Sequence, residues 1–160
     1  MRAIIIGIFC LAALGAHGAA AGKSPTAAVT HIWFESPPEI AEGGRLINEG
    51  KIEEGMKLIR RVLDHDLPSD ARAFAYTNLC GGYLELNKYT KAIRTCRRAI
   101  KLNSRIWQAL SNRGVARFEL GRFDGAVEDF RRAIKLDPEN EALKKNLALA
   151  EQGQRSIILH

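Results

Sequence analysis

The sequence predicts an all-α fold of stacked, antiparallel helix pairs, and three observations lead there. First, the string Arg97-Arg98-Ala99-Ile100-Lys101-Leu102 recurs unchanged 34 residues later as Arg131-Arg132-Ala133-Ile134-Lys135-Leu136. Second, apolar residues through residues 36–152 return every three or four positions, the period of a helix that buries one face. Third, hydrophobic residues make up 46% of the 160-residue chain but aromatics only 7%. An apolar set dominated by Ala and Leu suits close helix packing better than a sheet.

The chain opens with residues 1–21, MRAIIIGIFCLAALGAHGAAA, which carry the three parts of a secretory signal peptide. Arg2 supplies the positive start, an apolar run follows to about Ala16, and Ala19-Ala20-Ala21 offers a small-residue cleavage site. The run is shorter than the ~20 apolar residues that span a bilayer, so a cleaved segment is expected and not an anchor. Cys10 lies inside the run, which is the wrong place for a lipid attachment site. Residues 22–35 read as an extended leader, with Trp33 and Phe34 expected to cap the first helix pair or lie in a groove.

Pro37-Pro38 marks the first helix start, because proline is tolerated in a first turn and not later. Three units then follow, at about 36–72, 73–106 and 107–140. The second and third share the 34-residue offset throughout: Leu86 with Leu120, Tyr89 with Phe123, Ala92 with Ala126, Ile93 with Val127. The first is weaker and sits at an offset of 37, where Gly50, Ile52, Gly55 and Ile59 align with Asn87, Tyr89, Ala92 and Cys96. Its extra residues fall around Leu67-Pro68-Ser69-Asp70, read as a loop in which insertion costs little.

Within the third unit, Leu110, Gly114 and Phe118 belong to one helix, and Leu120-Gly121-Arg122 form a turn. Ala126, Phe130, Ala133 and Ile134 belong to a second helix, which Asp137-Pro138 ends. Gly114 and Ala126 are small where two antiparallel helices must approach. Residues 141–152, EALKKNLALAEQ, read as a capping helix over the last apolar face, and 153–160 as a tail.

This pattern resembles the tetratricopeptide repeat family, with the exported bacterial type expected. Tyr76, Leu79, Cys80, Tyr83, Ala92, Cys96 and Ala99 match its motif in the second unit, and Leu110, Gly114, Ala126, Phe130, Ala133 and Pro138 in the third. The third departs at Arg113 and Arg117, where Leu and an aromatic are usual, and the second has Ser104 for the final Pro. The resemblance implies a right-handed superhelix whose first helices line a concave face. That face would carry Phe74, Thr77, Asn78, Leu84 and Glu85 in the second unit, and Gln108, Ser111, Asn112, Val115, Phe118 and Glu119 in the third. Such a surface fits an extended peptide or a partner helix. Some family members clamp a C-terminal carboxylate with Asn, Lys and Arg. The basic positions of that clamp would fall near Gln108 and Asn112, neither of them charged, so binding of a chaperone tail is not expected.

By the same resemblance, Cys80 takes the small-residue position of one helix and Cys96 the large apolar position of the next. Antiparallel packing would bring them face to face, and an exported protein meets an oxidising compartment, so a Cys80–Cys96 disulfide is expected.

No chemistry of catalysis is legible. His17, His31, His65 and His160 are scattered, and no phosphate loop, nucleophile elbow or metal-ligand spacing occurs. Asp64-His65-Asp66, the densest titratable cluster, reads as a solvated helix end. The expectation is a binding protein that uses no cofactor or metal, takes a protein or peptide partner, and works in the periplasm or as a secreted protein.

The net charge of +6 supports an alternative, a basic envelope protein that binds an anionic polymer or membrane surface. Its contacts would be Arg60, Arg61, Arg97, Arg98, Lys101, Arg131, Arg132 and Lys135. Membrane association would come only through those stripes or an uncleaved signal segment, and nucleic acid is not an expected partner.

Overall fold

A computed structural model describes residues 36–158. The expected signal segment, the leader and all histidines but His65 lie outside the described residues. Within them the chain forms seven α-helices: α1 (Pro38–Asn48), α2 (Ile52–Leu63), α3 (Ser69–Glu85), α4 (Tyr89–Leu102), α5 (Trp107–Glu119), α6 (Phe123–Leu136) and α7 (Glu141–Ile158). None is long and apolar enough to cross a membrane.

The helices form two layers. Helices α1, α3, α5 and α7 lie side by side, each in contact with the next. Helices α2, α4 and α6 cover them, each wedged between its own partner and the following odd-numbered helix, and make no contact with one another. This is a solenoid of helix pairs closed by α7, because each pair buries its apolar face against its neighbour.

Small residues set how closely each pair packs. A Cβ on Gly43 would stand 2.4 Å from Ile59, and one on Gly114 would stand 2.8 Å from the Phe130 ring, so each glycine admits a large side chain from the facing helix. In the middle pair the same two places hold Cys80 and Cys96, whose sulfurs are bonded, with Cα atoms 5.4 Å apart. Covalent closure replaces the fit of a large residue over a glycine.

The turns between paired helices repeat too. Gly50, Asn87 and Gly121 all have positive φ, 82°, 53° and 69°. They stand at the offsets of 37 and 34 read from the sequence, and glycine or asparagine is what this backbone favours.

Two features differ from the sequence reading. Ser69 and Asp70, expected in a loop, form the first turn of α3, which starts after Pro68 and is 17 residues long against 13 for α5. The added turn is tied to the end of α4: Asn103 Nδ2 donates to Asp70 Oδ1 at 2.9 Å. Helix α7 also runs to Ile158, past the expected end at 152. Gly153, where the tail was expected to begin, instead lies under Phe123, whose ring would be 2.6 Å from an added Cβ. Gln154 Nε2 donates to Asp124 Oδ1 at 2.7 Å and fastens the extra turn to α6.

Candidate functional site

The inner face is made by α1, α3, α5 and α7, and the residues expected to line it divide into three groups. Thr77, Leu84, Ser111, Asn112 and Val115 are buried. Phe74, Asn78, Gln108 and Phe118 are half-buried, and Glu85 and Glu119 are exposed. Helical spacing placed all eleven on one side of their helices. Each inner helix is flanked by two others, however, so the residues nearest the seams are covered.

Several covered groups hold the layer together. The Thr77 hydroxyl donates to Ala73 O at 2.9 Å, which satisfies it within its own helix. Asn78 Nδ2 donates to Ile40 O at 3.0 Å and so ties α3 to α1. Gly44 makes room for that amide, since an added Cβ would lie 2.8 Å from Asn78 Nδ2. The Ser111 hydroxyl is fully buried with no hydrogen-bond partner. Phe118 packs edge-to-face on Phe123, with ring centres 5.2 Å apart.

The accessible part of the face includes a cavity of about 340 Å³ lined by Ile47, Asn48, Gly50 and Glu85. It lies where the C-terminal ends of α1 and α3 meet. Of its lining, sequence reading identified only Glu85. The signal for the rest was present: Asn48, Glu85 and Glu119 stand one repeat apart, as do Ile47, Leu84 and Phe118. The weak match of the first unit to the repeat pattern hid it. Apolar, amide and carboxylate groups around one hollow can bury a side chain while hydrogen bonding a peptide backbone.

Behind this face is a buried ionic cluster that sequence reading registered only as departures from pattern. Arg113 lays its guanidinium on Asp129, with Nε to Oδ2 at 2.9 Å and an Nη to Oδ1 at 2.6 Å. Arg117 donates to the same Oδ2 at 2.8 Å and to Gly125 O at 2.9 Å. The Asp129 side chain is fully buried, and Arg113 keeps 10% of its side-chain surface. One carboxylate therefore faces two guanidiniums. No group of three or more His, Cys, Asp or Glu among the described residues is placed to hold a metal ion.

Comparison with known proteins agrees with this architecture. A family model for the tetratricopeptide repeat matches residues 82–141. The small glutamine-rich tetratricopeptide repeat-containing protein of Dictyostelium discoideum is 34% identical over 111 residues, covering 69% of this chain and 32% of that protein. The chain thus spans about a third or less of the curated relatives it matches. Among solved structures, the first such domain of human RPAP3 superposes with a TM-score of 0.68 at 29% identity, covering 74% of this chain and 91% of that domain. The second domain of Spaghetti (RPAP3), solved bound to the HSP90 peptide SRMEEVD, is 30% identical with a TM-score of 0.58, covering 63% of this chain and 85% of that one. Two layers of paired helices, glycine or cysteine where each pair packs closely, and these matches place the chain in the tetratricopeptide repeat family.

Proposed function

We propose that this protein is a non-enzymatic interaction module whose inner face takes an extended peptide or a helix of a partner protein. The observation that carries this reading is the hollow of about 340 Å³ between the ends of α1 and α3, lined by Ile47, Asn48, Gly50 and Glu85. Phe74, Gln108 and Glu119 keep accessible surface on the same layer of helices. The peptide-bound Spaghetti (RPAP3) domain supports it, since that similar fold holds a peptide. The ligand here differs from SRMEEVD. The clamp positions that would neutralise a terminal carboxylate fall on uncharged Gln108 and on Asn112, which is buried.

The test is peptide selection from a displayed random library against the full chain. Selected peptides should lose at least about tenfold in affinity with Asn48→Lys or Gln108→Ala, a loss of roughly 1.4 kcal/mol. They should bind Lys57→Ala, an exposed change on the outer face of α2, unchanged, and SRMEEVD should bind more weakly than any of them. Peptides indifferent to the inner-face substitutions would overturn the reading.

The protein is further proposed to be exported, and periplasmic if its source is a Gram-negative bacterium. The pattern of residues 1–21 supports this, as does the Cys80–Cys96 bond, since disulfides persist in oxidising compartments. Intact mass of the protein from its native host should show loss of 19 to 21 residues or so. A full-length species in the membrane fraction would favour an anchor.

A further inference from the structure

We propose that the outer face of α4 is a second binding surface, one that takes an acidic stretch of polypeptide and seats one of its carboxylates in a cavity at the C-terminal end of the helix. The surface is separate from the inner face, and neither reading depends on the other.

The charge pattern of α4 is unlike that of its two counterparts. It carries Lys91, Arg94, Arg97, Arg98 and Lys101 and no acidic residue. In α2 the basic residues are offset by Glu53 and Glu54, and in α6 by Asp124, Glu128 and Asp129. Two of the neighbours' cations are engaged as well: Arg131 pairs with Glu151 at 2.7 Å, and Arg60 bonds the Tyr83 hydroxyl at 3.3 Å; in α4, Arg98 lies over the uncharged Tyr76 ring, 5.7 Å from its centre. All five cations of α4 are exposed, and none is in an ion pair among the described residues. Lys91, Arg94, Arg98 and Lys101 follow the spacing of a single helix face, a row about 15 Å long at ~1.5 Å rise per residue. Like charges three and four apart repel, and nothing within the helix relieves them.

At the end of the row is a cavity of about 380 Å³ lined by Arg97, Arg98, Ile100, Lys101 and Arg113. Arg113 differs from the rim residues because it is largely buried and held in place by two bonds to Asp129. Asp129 also serves Arg117, so the cluster beneath the cavity keeps one positive charge in excess. A buried cation at the base and exposed ones at the rim form a receptor for an anionic group, with Ile100 giving apolar contact beside it.

The chemistry of the face selects the occupant. No aromatic ring is exposed along it, so nucleic acid bases have nothing to stack on. Leu120, outside α4, is the exposed large hydrophobic residue among those described, so the face has no side chain to insert into a bilayer. Carboxylates suit arginine forks, and about five residues of extended chain at ~3.3 Å each would span the row.

The experiment is fluorescence anisotropy of labelled octaglutamate against the full, oxidised chain in low-salt buffer. Anionic phosphatidylglycerol vesicles and a single-stranded oligothymidylate of equal charge serve as rival probes. Saturable octaglutamate binding is expected, weakened at least about tenfold in R94A/R98A/K101A. R61A/R132A/K135A removes equal charge from α2 and α6 and should change binding less than about twofold. Circular dichroism should show both variants folded, since none of the substituted residues is buried. The proposal is overturned if octaglutamate does not bind, if the two triple variants lose affinity equally, or if vesicles or the oligonucleotide bind more tightly than the peptide.

Discussion

Asp129 is the residue on which most depends, because it is the one carboxylate paired with two arginines inside the protein. Its truncation leaves two largely buried guanidiniums with no counter-charge. Asp129→Ala is therefore expected to cost about 3–5 kcal/mol, measured by urea denaturation. Whether the cluster stabilises the fold is a different question, since desolvating three charges offsets much of their attraction. Replacing the cluster with the residues usual in the family, Arg113→Leu and Arg117→Tyr, together with Asp129→Leu, should recover most of that loss. A triple variant no more stable than Asp129→Ala would mean that the ionic cluster contributes to stability in its own right. Gly114 sets a steric limit at the same scale. Alanine there would push its Cβ to 2.8 Å from the Phe130 ring, an overpacking expected to cost about 1–3 kcal/mol. The cluster was not legible in the sequence because Arg113 and Asp129 are 16 residues apart on different helices, and no local pattern connects them. Arg113 and Arg117 were visible only as residues that break the repeat.

Among elements, the turn within each helix pair is the most regular feature, and sequence reading found it in the third unit because local backbone chemistry dictates it. Gly50, Asn87 and Gly121 hold the same left-handed conformation at successive repeat positions, and open space surrounds both glycines. Alanine at Gly50 or Gly121 therefore meets no clash, and its whole cost is conformational, on the order of 1 kcal/mol. Asn87→Gly keeps the backbone conformation but gives up the bond that the Tyr89 hydroxyl donates to Asn87 Oδ1 at 2.7 Å. Thermal melts of the two alanine variants test the conformational cost; melts unchanged from the parent protein would show that the left-handed turn is not what selects glycine. Helix ends were legible at Pro38 and after Leu136, where proline fixes them, and mistaken after Pro68 and at the end of α7, where tertiary contact extends a helix. The first turn of α3 and the last turns of α7 exist because Asn103 and Asp124 bond to them, and those partners lie 33 and 30 residues away. The inner face shows the same division. The family resemblance pointed to one side of α3 and α5 as the inner one, but not to how much of it α1 and α7 cover.

At the scale of the whole molecule, the array is a line of helix pairs in which stability passes only between neighbours. Among the described residues, the pair α1–α2 connects to the rest only through α3, and α7 only through α5 and α6. The middle pair, α3–α4, is thus the one on which both ends depend, and it alone is closed covalently, by Cys80–Cys96. The bond spans a sequence separation of 16, for which chain-entropy estimates give about 3 kcal/mol. Against a total of roughly 5–15 kcal/mol for a domain, that is a large share. Reduction should lower the melting temperature by on the order of 10 °C while leaving the circular dichroism spectrum of the native state unchanged. Cys96→Ala should cost more than reduction, because it also empties the place that Phe130 and Ile59 fill in the flanking pairs. Thiol counting on denatured, unreduced protein, paired with melts with and without reductant, makes the measurement. Two free thiols in oxidised material, or melts that reductant does not move, would show that the central pair is held by packing alone. The loss on reduction should also spread beyond the middle pair. With α3–α4 loosened, hydrogen exchange should quicken in α1 and α2, which have no other support, more than in α6, which still packs on both α5 and α7.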